Sequence, residues 1–221
     1  GEMDKLQSII DPDIGIFTNL GTAHQENFSS IEAKAREKMQ LFKSIKTLIY
    51  CKDNELLDSL VQEQLASGKF EPFSWGRSEG STVKLISTEL FPSRAEIKFR
   101  FKDKTAKFSI PFTDEASIEN AMHCLCAAIF LGIELEKIPV LMEKLQPVAM
   151  RLELKEGVNG CTVINDSYNS DLGSLSIALS YLAQQRQHPK RMLVLSDILQ
   201  SGREASLLYE EVARMVKEKG V

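Results

Sequence analysis

Three short polar stretches follow apolar runs in this chain, and each can bind a ligand. The first is Thr18-Asn19-Leu20-Gly21-Thr22-Ala23-His24, the second Asn165-Asp166-Ser167-Tyr168-Asn169-Ser170-Asp171, the third Ser196-Asp197 with Gln200-Ser201-Gly202. In open parallel sheets ligands bind beyond the carboxyl ends of the strands, so position favours these loops. Position alone is weak, because every α/β protein has such loops. Residue by residue, plainer roles compete. Asn19 suits a turn, His24 a turn bonded to backbone or a metal, and Asp166 an N-cap or Asx-turn. Ser174 suits a helix cap. Lys38 stands among Lys34, Arg36 and Lys43 on a helical stretch, where a solvated lysine is the ordinary outcome.

The elements that must carry these loops follow from periodicity. Asp4–Ile10 reads as a helix end and Asp11-Pro12-Asp13 as a breaker. Ile14–Leu20 and Thr47–Cys51 are apolar runs of strand length. Ser30–Phe42, with Ser30 as N-cap, and Asn54–Ala66 are helical. Strand, helix, strand, helix with short links predicts an α/β fold with a parallel sheet. Val83–Leu90, Ala95–Phe101 and Ala106–Ile110 alternate with period two and predict a small, half-exposed antiparallel meander, with Lys102-Asp103-Lys104 as a tight link. Ala116–Leu131 is an apolar helix stopped at Gly132, and Glu134–Leu145 is a second, stopped by Pro147. Arg151–Glu156 and Cys161–Ile164 predict strands around the turn 158–160. Leu172–Gln184 predicts a helix, Met192–Leu195 a strand and Glu204–Lys219 a helix. A boundary near Gln146-Pro147 divides the chain into 1–146 and 147–221.

Composition narrows the function classes. The 221 residues are 43% hydrophobic and 26% charged, with a net charge of −4. That balance is ordinary for a globular protein and argues against a nucleic-acid partner held by a basic face. No apolar run approaches the ~20 residues that span a bilayer, so no membrane partner is expected. Cys51, Cys124, Cys126 and Cys161 form no CxxC pair, which speaks against zinc. Cys124 and Cys126 are expected to be buried free thiols. Reduced cysteines and the lack of a signal sequence predict a cytoplasmic location.

Several motifs, in order, carry a resemblance to one family. GEMDKL, PDIGIFTNLGTAH and FSSIEAKAREK resemble the second half of the central ATPase domain of the Mur ligases. IENAMHCLCAAIFLGI resembles the family's N-A-x-x-A-x-A-x-x-x-x-G-I helix, and PVAMRLE its P-x-x-G-R-x-E segment opening the C-terminal domain. CTVINDSYNSDLGSLSIAL resembles V-I-D-D-S-Y-N-A-N-P-x-S-M. The Ser-Tyr-Asn wording is most similar to the branch that adds D-alanyl-D-alanine to UDP-N-acetylmuramoyl tripeptide. It is also similar to the ligase half of proteins fused to an alanine racemase, where PLP would serve a downstream domain. The resemblance implies part of a parallel-sheet P-loop-type ATPase domain with the meander, then part of a Rossmann-like C-terminal domain. It implies an ATP-dependent ligase of peptidoglycan precursor synthesis that works through an acyl phosphate, with Mg2+ offsetting the phosphate charge.

Site roles follow from the same resemblance. His24 aligns with a magnesium ligand. Lys38 aligns with a lysine that several members carry as an N-carbamate, whose oxygens reach a metal. Asn19 would position the phosphate or metal shell. Asn120 and Asp166 align with nucleotide contacts, with Tyr168 and Asn169 lining the same site, and Arg151 would reach the phosphates. The Pro147–Arg151 region would be a hinge.

The departures are Asn165-Asp166 for Asp-Asp, Asp171-Leu172 for Asn-Pro, and Gln200 where the family has Glu. These residues contain no G-x-x-G-K-[ST] loop. The family carries that loop upstream, with a metal-binding Glu and the domain that grips UDP. The chain is therefore expected to be an internal piece with no turnover by itself. The alternatives are a folylpolyglutamate synthase-like ligase, which Glu37-Lys38 would suit, and a non-catalytic α/β binding or assembly module.

Overall fold

Six strands lie side by side in the order in which the chain makes them: β1 (Ile14–Phe17), β2 (Thr47–Cys51), β3 (Glu71–Gly76), β4 (Val83–Phe91), β5 (Arg94–Phe101) and β6 (Lys104–Ile110). β1 to β4 pair parallel, and β4–β5 and β5–β6 pair antiparallel. Helices α1 (Glu2–Ile10), α2 (Ile31–Met39), α3 (Glu55–Leu65), α4 (Glu115–Phe130) and α5 (Ile138–Met142) accompany the sheet. A separate two-stranded antiparallel ladder joins β7 (Glu153–Glu156) to β8 (Thr162–Asn165), followed by α6 (Leu172–Gln184) and α7 (Ala205–Glu218). This computed structural model describes residues 2–21, 27–66, 68, 70–146, 148–168, 170–185, 187–199 and 201–221. The chain divides into two units, 1–20 with 30–145 and 21–29 with 146–221.

β2 shows why the first unit holds together. Its run TLIYC is buried on both faces, as a central parallel strand requires. Successive side chains point to opposite faces. Leu48 and Tyr50 pack with Met39, Phe42, Leu57 and Val61. Ile49 packs with Trp75, Met122 and Leu125 on the other side. Each such fully buried side chain contributes roughly 1.5–3 kcal/mol. Close approach makes one glycine necessary: a Cβ on Gly15 of β1 would stand 2.5 Å from Cδ1 of Phe42.

Local chemistry sets the helix ends. Ser30 caps α2 by accepting the Ala33 N–H, as its place before the helix predicts. Asp114 accepts the Ser117 N–H at 2.7 Å to start α4. Gly132, at φ +81°, ends it, with the Ile133 N–H on the Ala128 carbonyl.

Several expectations need correction. β3 was unforeseen. Pro72 and Gly76 are poor strand formers, but the ladder to β4 begins only at Trp75, so Pro72 sits where one side of the strand is open. Through β3 the expected antiparallel meander, β4 to β6, continues the parallel sheet. β1 ends at Phe17, short of Leu20. The 134–145 helix shrinks to Ile138–Met142, with Pro139, whose missing N–H is tolerated only near a helix start, in its first turn. Met192–Leu195 joins no ladder among the described residues. Leu193 and Leu195 still pack on the α6–α7 core while Met192 and Val194 face outward, so the period-two pattern is met without strand partners. Cys126 is buried, and Cys124 is exposed.

Candidate functional site

In the first unit the candidate residues gather around the carboxyl end of β1. Phe17 is the last residue of β1, and Lys38 on α2 places its Nζ 6.0 Å from the centroid of that ring, the outer limit of a cation–π contact. Its cationic neighbours differ. Arg36 is paired with Glu32 and Glu63, and Lys43 with Asp4. Lys38 makes no ion pair among the described residues, and Lys34 is buried rather than solvated, at 3% exposure. Asn19 lies exposed two residues beyond Phe17. Thr18, between them, is fixed by its carbonyl oxygen, which accepts Nε2–H of His123 at 2.8 Å. Asn120 is exposed on α4, one turn before His123.

The carboxyl ends of β2 and β3 are tied together by Asp53. Its carboxylate accepts the N–H of Arg77 at 2.6 Å, and the N–H and hydroxyl of Ser78 at 3.1 and 2.6 Å. Burial pushes the Asp53 pKa up, but these donors outweigh it and hold the carboxyl below its ordinary range. A Cβ on Gly76 would stand 2.7 Å from that carboxylate.

In the second unit β8 runs into the Asn165–Asp171 loop. Asp166 reaches across to the segment before β7. Its Oδ1 accepts the N–H of Leu152 at 3.1 Å, bracing the segment that leads into β7. The Tyr168 N–H donates to the Met150 carbonyl at 3.3 Å. Between those two anchors Arg151 lays its guanidinium 4.2 Å from the centroid of the Tyr168 ring, which is 60% exposed. Met150 and Leu152 on either side of Arg151 have φ of +59° and +49°, a left-handed conformation that L-residues adopt at a cost of ~1–2 kcal/mol each. Asp171 and Ser174 form a capping box at α6: Asp171 Oδ1 accepts the Gly173 and Ser174 N–H groups, and Ser174 Oγ accepts the Asp171 N–H. Ser174 is thus a cap residue. In the third loop Tyr209 Oη donates to Asp197 at 3.1 Å and accepts the Ile198 N–H at 3.3 Å.

Asn19, Lys38 and Asn120 are therefore grouped in one unit, and Arg151, Asp166 and Tyr168 in the other. His24, Asn169 and Gln200 lie outside the described residues. Magnesium takes oxygen ligands and an ammonium is none, so Lys38 fits a metal only as its N-carbamate. Among the described residues no three His, Cys, Asp or Glu side chains converge on a cation site. A planar ring with a guanidinium beside it, next to a carboxylate, suits a base, a phosphate and a sugar hydroxyl. Two residues escaped the sequence reading, His123 and Asp53. A lone His in an apolar helix and an acid after a strand carry no local signal.

Residues 1–128 match the family model of the Mur ligase middle domain. The UDP-N-acetylmuramoyl-tripeptide–D-alanyl-D-alanine ligase of Bacillus subtilis is 27% identical over 219 residues, covering 98% of this chain and 46% of the relative. The chain spans about half the length of the curated relatives it matches. Among solved structures, MurF from Acinetobacter baumannii superposes with a TM-score of 0.81 at 23% identity, covering 98% of this chain and 46% of that one. MurF from Thermotoga maritima in complex with ADP gives 0.80 at 20%, covering 98% and 49%. At these identities the structures establish a shared fold.

Proposed function

The chain belongs to the Mur ligase family through its middle domain, and we propose that the protein containing it joins D-alanyl-D-alanine to UDP-N-acetylmuramoyl tripeptide at the expense of ATP. The observation that carries this is the continuity of the match: relatives of that activity align with 98% of the chain, across both units and through the Asn165–Asp171 loop. On this basis residues 1–146 are the C-terminal portion of the ATP-binding domain, and 147–221 the N-terminal portion of the ligase C-terminal domain.

The reaction joins a carboxylate to an amine. The carboxylate attacks the γ-phosphorus and ADP leaves, giving an acyl phosphate. The amine then attacks the acyl carbon and phosphate departs. An anion must approach a polyanion, so catalysis is chiefly positioning and charge compensation. Asn19 and Lys38 would act at the phosphate end, with Lys38 as a carbamate supplying metal-ligand oxygens and His24 a further ligand by the resemblance. A bound Mg2+ would supply positive charge to the phosphates. Asn120, Asp166, Tyr168 and Asn169 would hold the nucleotide, Asp166 by accepting a ribose hydroxyl while Oδ1 keeps the Leu152 N–H. Arg151 would face a phosphate.

The test is phosphate release by the full-length protein with ATP and UDP-muramoyl tripeptide, with and without D-alanyl-D-alanine. Release that requires both substrates is expected, with residues 1–221 alone silent. No release with both substrates present removes the assignment.

A further inference from the structure

His123 is buried at 3% exposure on α4, and nothing in the proposed reaction uses it. Both of its nitrogens are committed. The indole Nε1 of Trp75 can only donate, so Nδ1 of His123, 3.2 Å away, accepts. A neutral ring then carries its proton on Nε2, which donates to the Thr18 carbonyl at 2.8 Å. The two rings meet edge to face, centroids 5.2 Å apart at 84°. The tautomer is thus fixed from both sides.

The geometry links three elements. Thr18 is the first residue after β1 and immediately precedes Asn19. Trp75 is on β3, with β2 lying between β3 and β1. One imidazole on α4 spans that gap, one turn from Asn120. An apolar residue would fill the same volume in this core, yet it would leave the Trp75 N–H and the Thr18 carbonyl without partners. Burial holds the ring neutral, which is the form that both bonds need.

We infer that His123 is a positioning residue of the site: by holding the Thr18 carbonyl it sets the path of the Asn19 loop against the helix that carries Asn120. This rests on the ligase reading of Asn19 and Asn120. A side chain that serves packing alone would affect stability and leave the loop and the chemistry unchanged.

The experiment compares the full-length protein with its His123→Gln, His123→Asn and Trp75→Phe variants. The Gln amide places an N–H near the Nε2 position and can reach Thr18. The Asn amide offers an acceptor near Nδ1 and cannot reach Thr18. Phosphate release and hydrogen exchange of the peptide spanning residues 14–24 are both measured. His123→Asn is expected to lower kcat about 10- to 100-fold with KM for the UDP-muramoyl tripeptide unchanged, and to speed exchange of the 14–24 peptide about tenfold. His123→Gln is expected to stay within about threefold of the parent in kcat and to keep its exchange. Trp75→Phe, which spares the Thr18 bond, should lose stability and retain kcat. Equal kcat in the Gln and Asn variants, or unchanged loop exchange in His123→Asn, overturns the inference. If the parent itself releases no phosphate with both substrates, the ligase reading fails, and the exchange comparison still decides whether His123 grips the loop.

Discussion

The guanidinium of Arg151 and the ring of Tyr168 stack 4.2 Å apart, and the backbone carbonyl beside that arginine, Met150, receives the N–H beside that ring. Side-chain and main-chain contacts thus join the same two stretches. An exposed cation–π pair contributes about 0.5–1 kcal/mol, and lysine cannot reproduce the flat stacking of a guanidinium. Arg151→Lys in the full-length protein is expected to raise KM for ATP roughly three- to tenfold while thermal stability shifts little. Unchanged KM would separate the stack from nucleotide binding.

Met150 occupies the glycine position of the P-x-x-G-R-x-E pattern, and its φ of +59° shows why that position favours glycine. Its side chain is 41% exposed, so little packing is lost on truncation. Met150→Gly removes the left-handed penalty and gives back part of it as unfolded-chain entropy. The expected outcome is a gain of about 0.5–1 kcal/mol in urea unfolding.

Gly15→Ala should act in the opposite direction. Its Cβ would meet Phe42 at 2.5 Å and Ile45 Cδ1 at 3.1 Å, and both side chains sit in the α2–β2 core. Overpacking of that kind costs about 1–3 kcal/mol, to be read as a lower urea midpoint at unchanged slope.

Acid should destabilise the first unit through His123. Burial lowers its folded-state pKa beneath the ordinary 6.5. The unfolded chain therefore binds the proton first as pH falls. Stability is complete above pH 6.5, declines below it, and stops declining once the folded ring is itself protonated. The difference in unfolding free energy between the wild type and His123→Gln should be flat above pH 6.5 and shrink below it. A difference independent of pH from 7.5 to 5 would show that the folded ring titrates normally.

Lys38 should be indispensable in a way that depends on its nitrogen as a site of modification. Lys38→Ala in the full-length protein is expected to lower phosphate release about 100-fold or more, with partial recovery on adding a short carboxylic acid that supplies the oxygens of the carbamate. Full activity in Lys38→Ala would make it an ordinary helix lysine.

What was legible in the sequence was local. TLIYC announces a strand buried on both faces, Ser30 and Gly132 mark helix ends, and the alternation from Val83 to Ile110 marks the three antiparallel strands. What was hidden depends on distant partners. Trp75 and Thr18 lie 48 and 105 residues from His123, so no window of sequence could reveal its role. β3 was hidden because Pro72 and Gly76 suit a loop until the open side of the strand is known. Beside its cap and ligand readings, Asp166 accepts the Leu152 N–H from 14 residues away, a contact that no local pattern announces. Asn19, Lys38, Asn120, Arg151 and Tyr168 were singled out by motif order, because none of them sits in a local pattern that differs from an ordinary turn or helix face.

The strand order of the six-stranded sheet repeats the order of synthesis. Within these residues, each new strand docks beside the one just made, and none must be threaded between two already in place. The sheet can therefore be assembled vectorially, with one growing edge at a time, and closed by the two tight reversals of the β4–β6 meander before α4 arrives to cover its face.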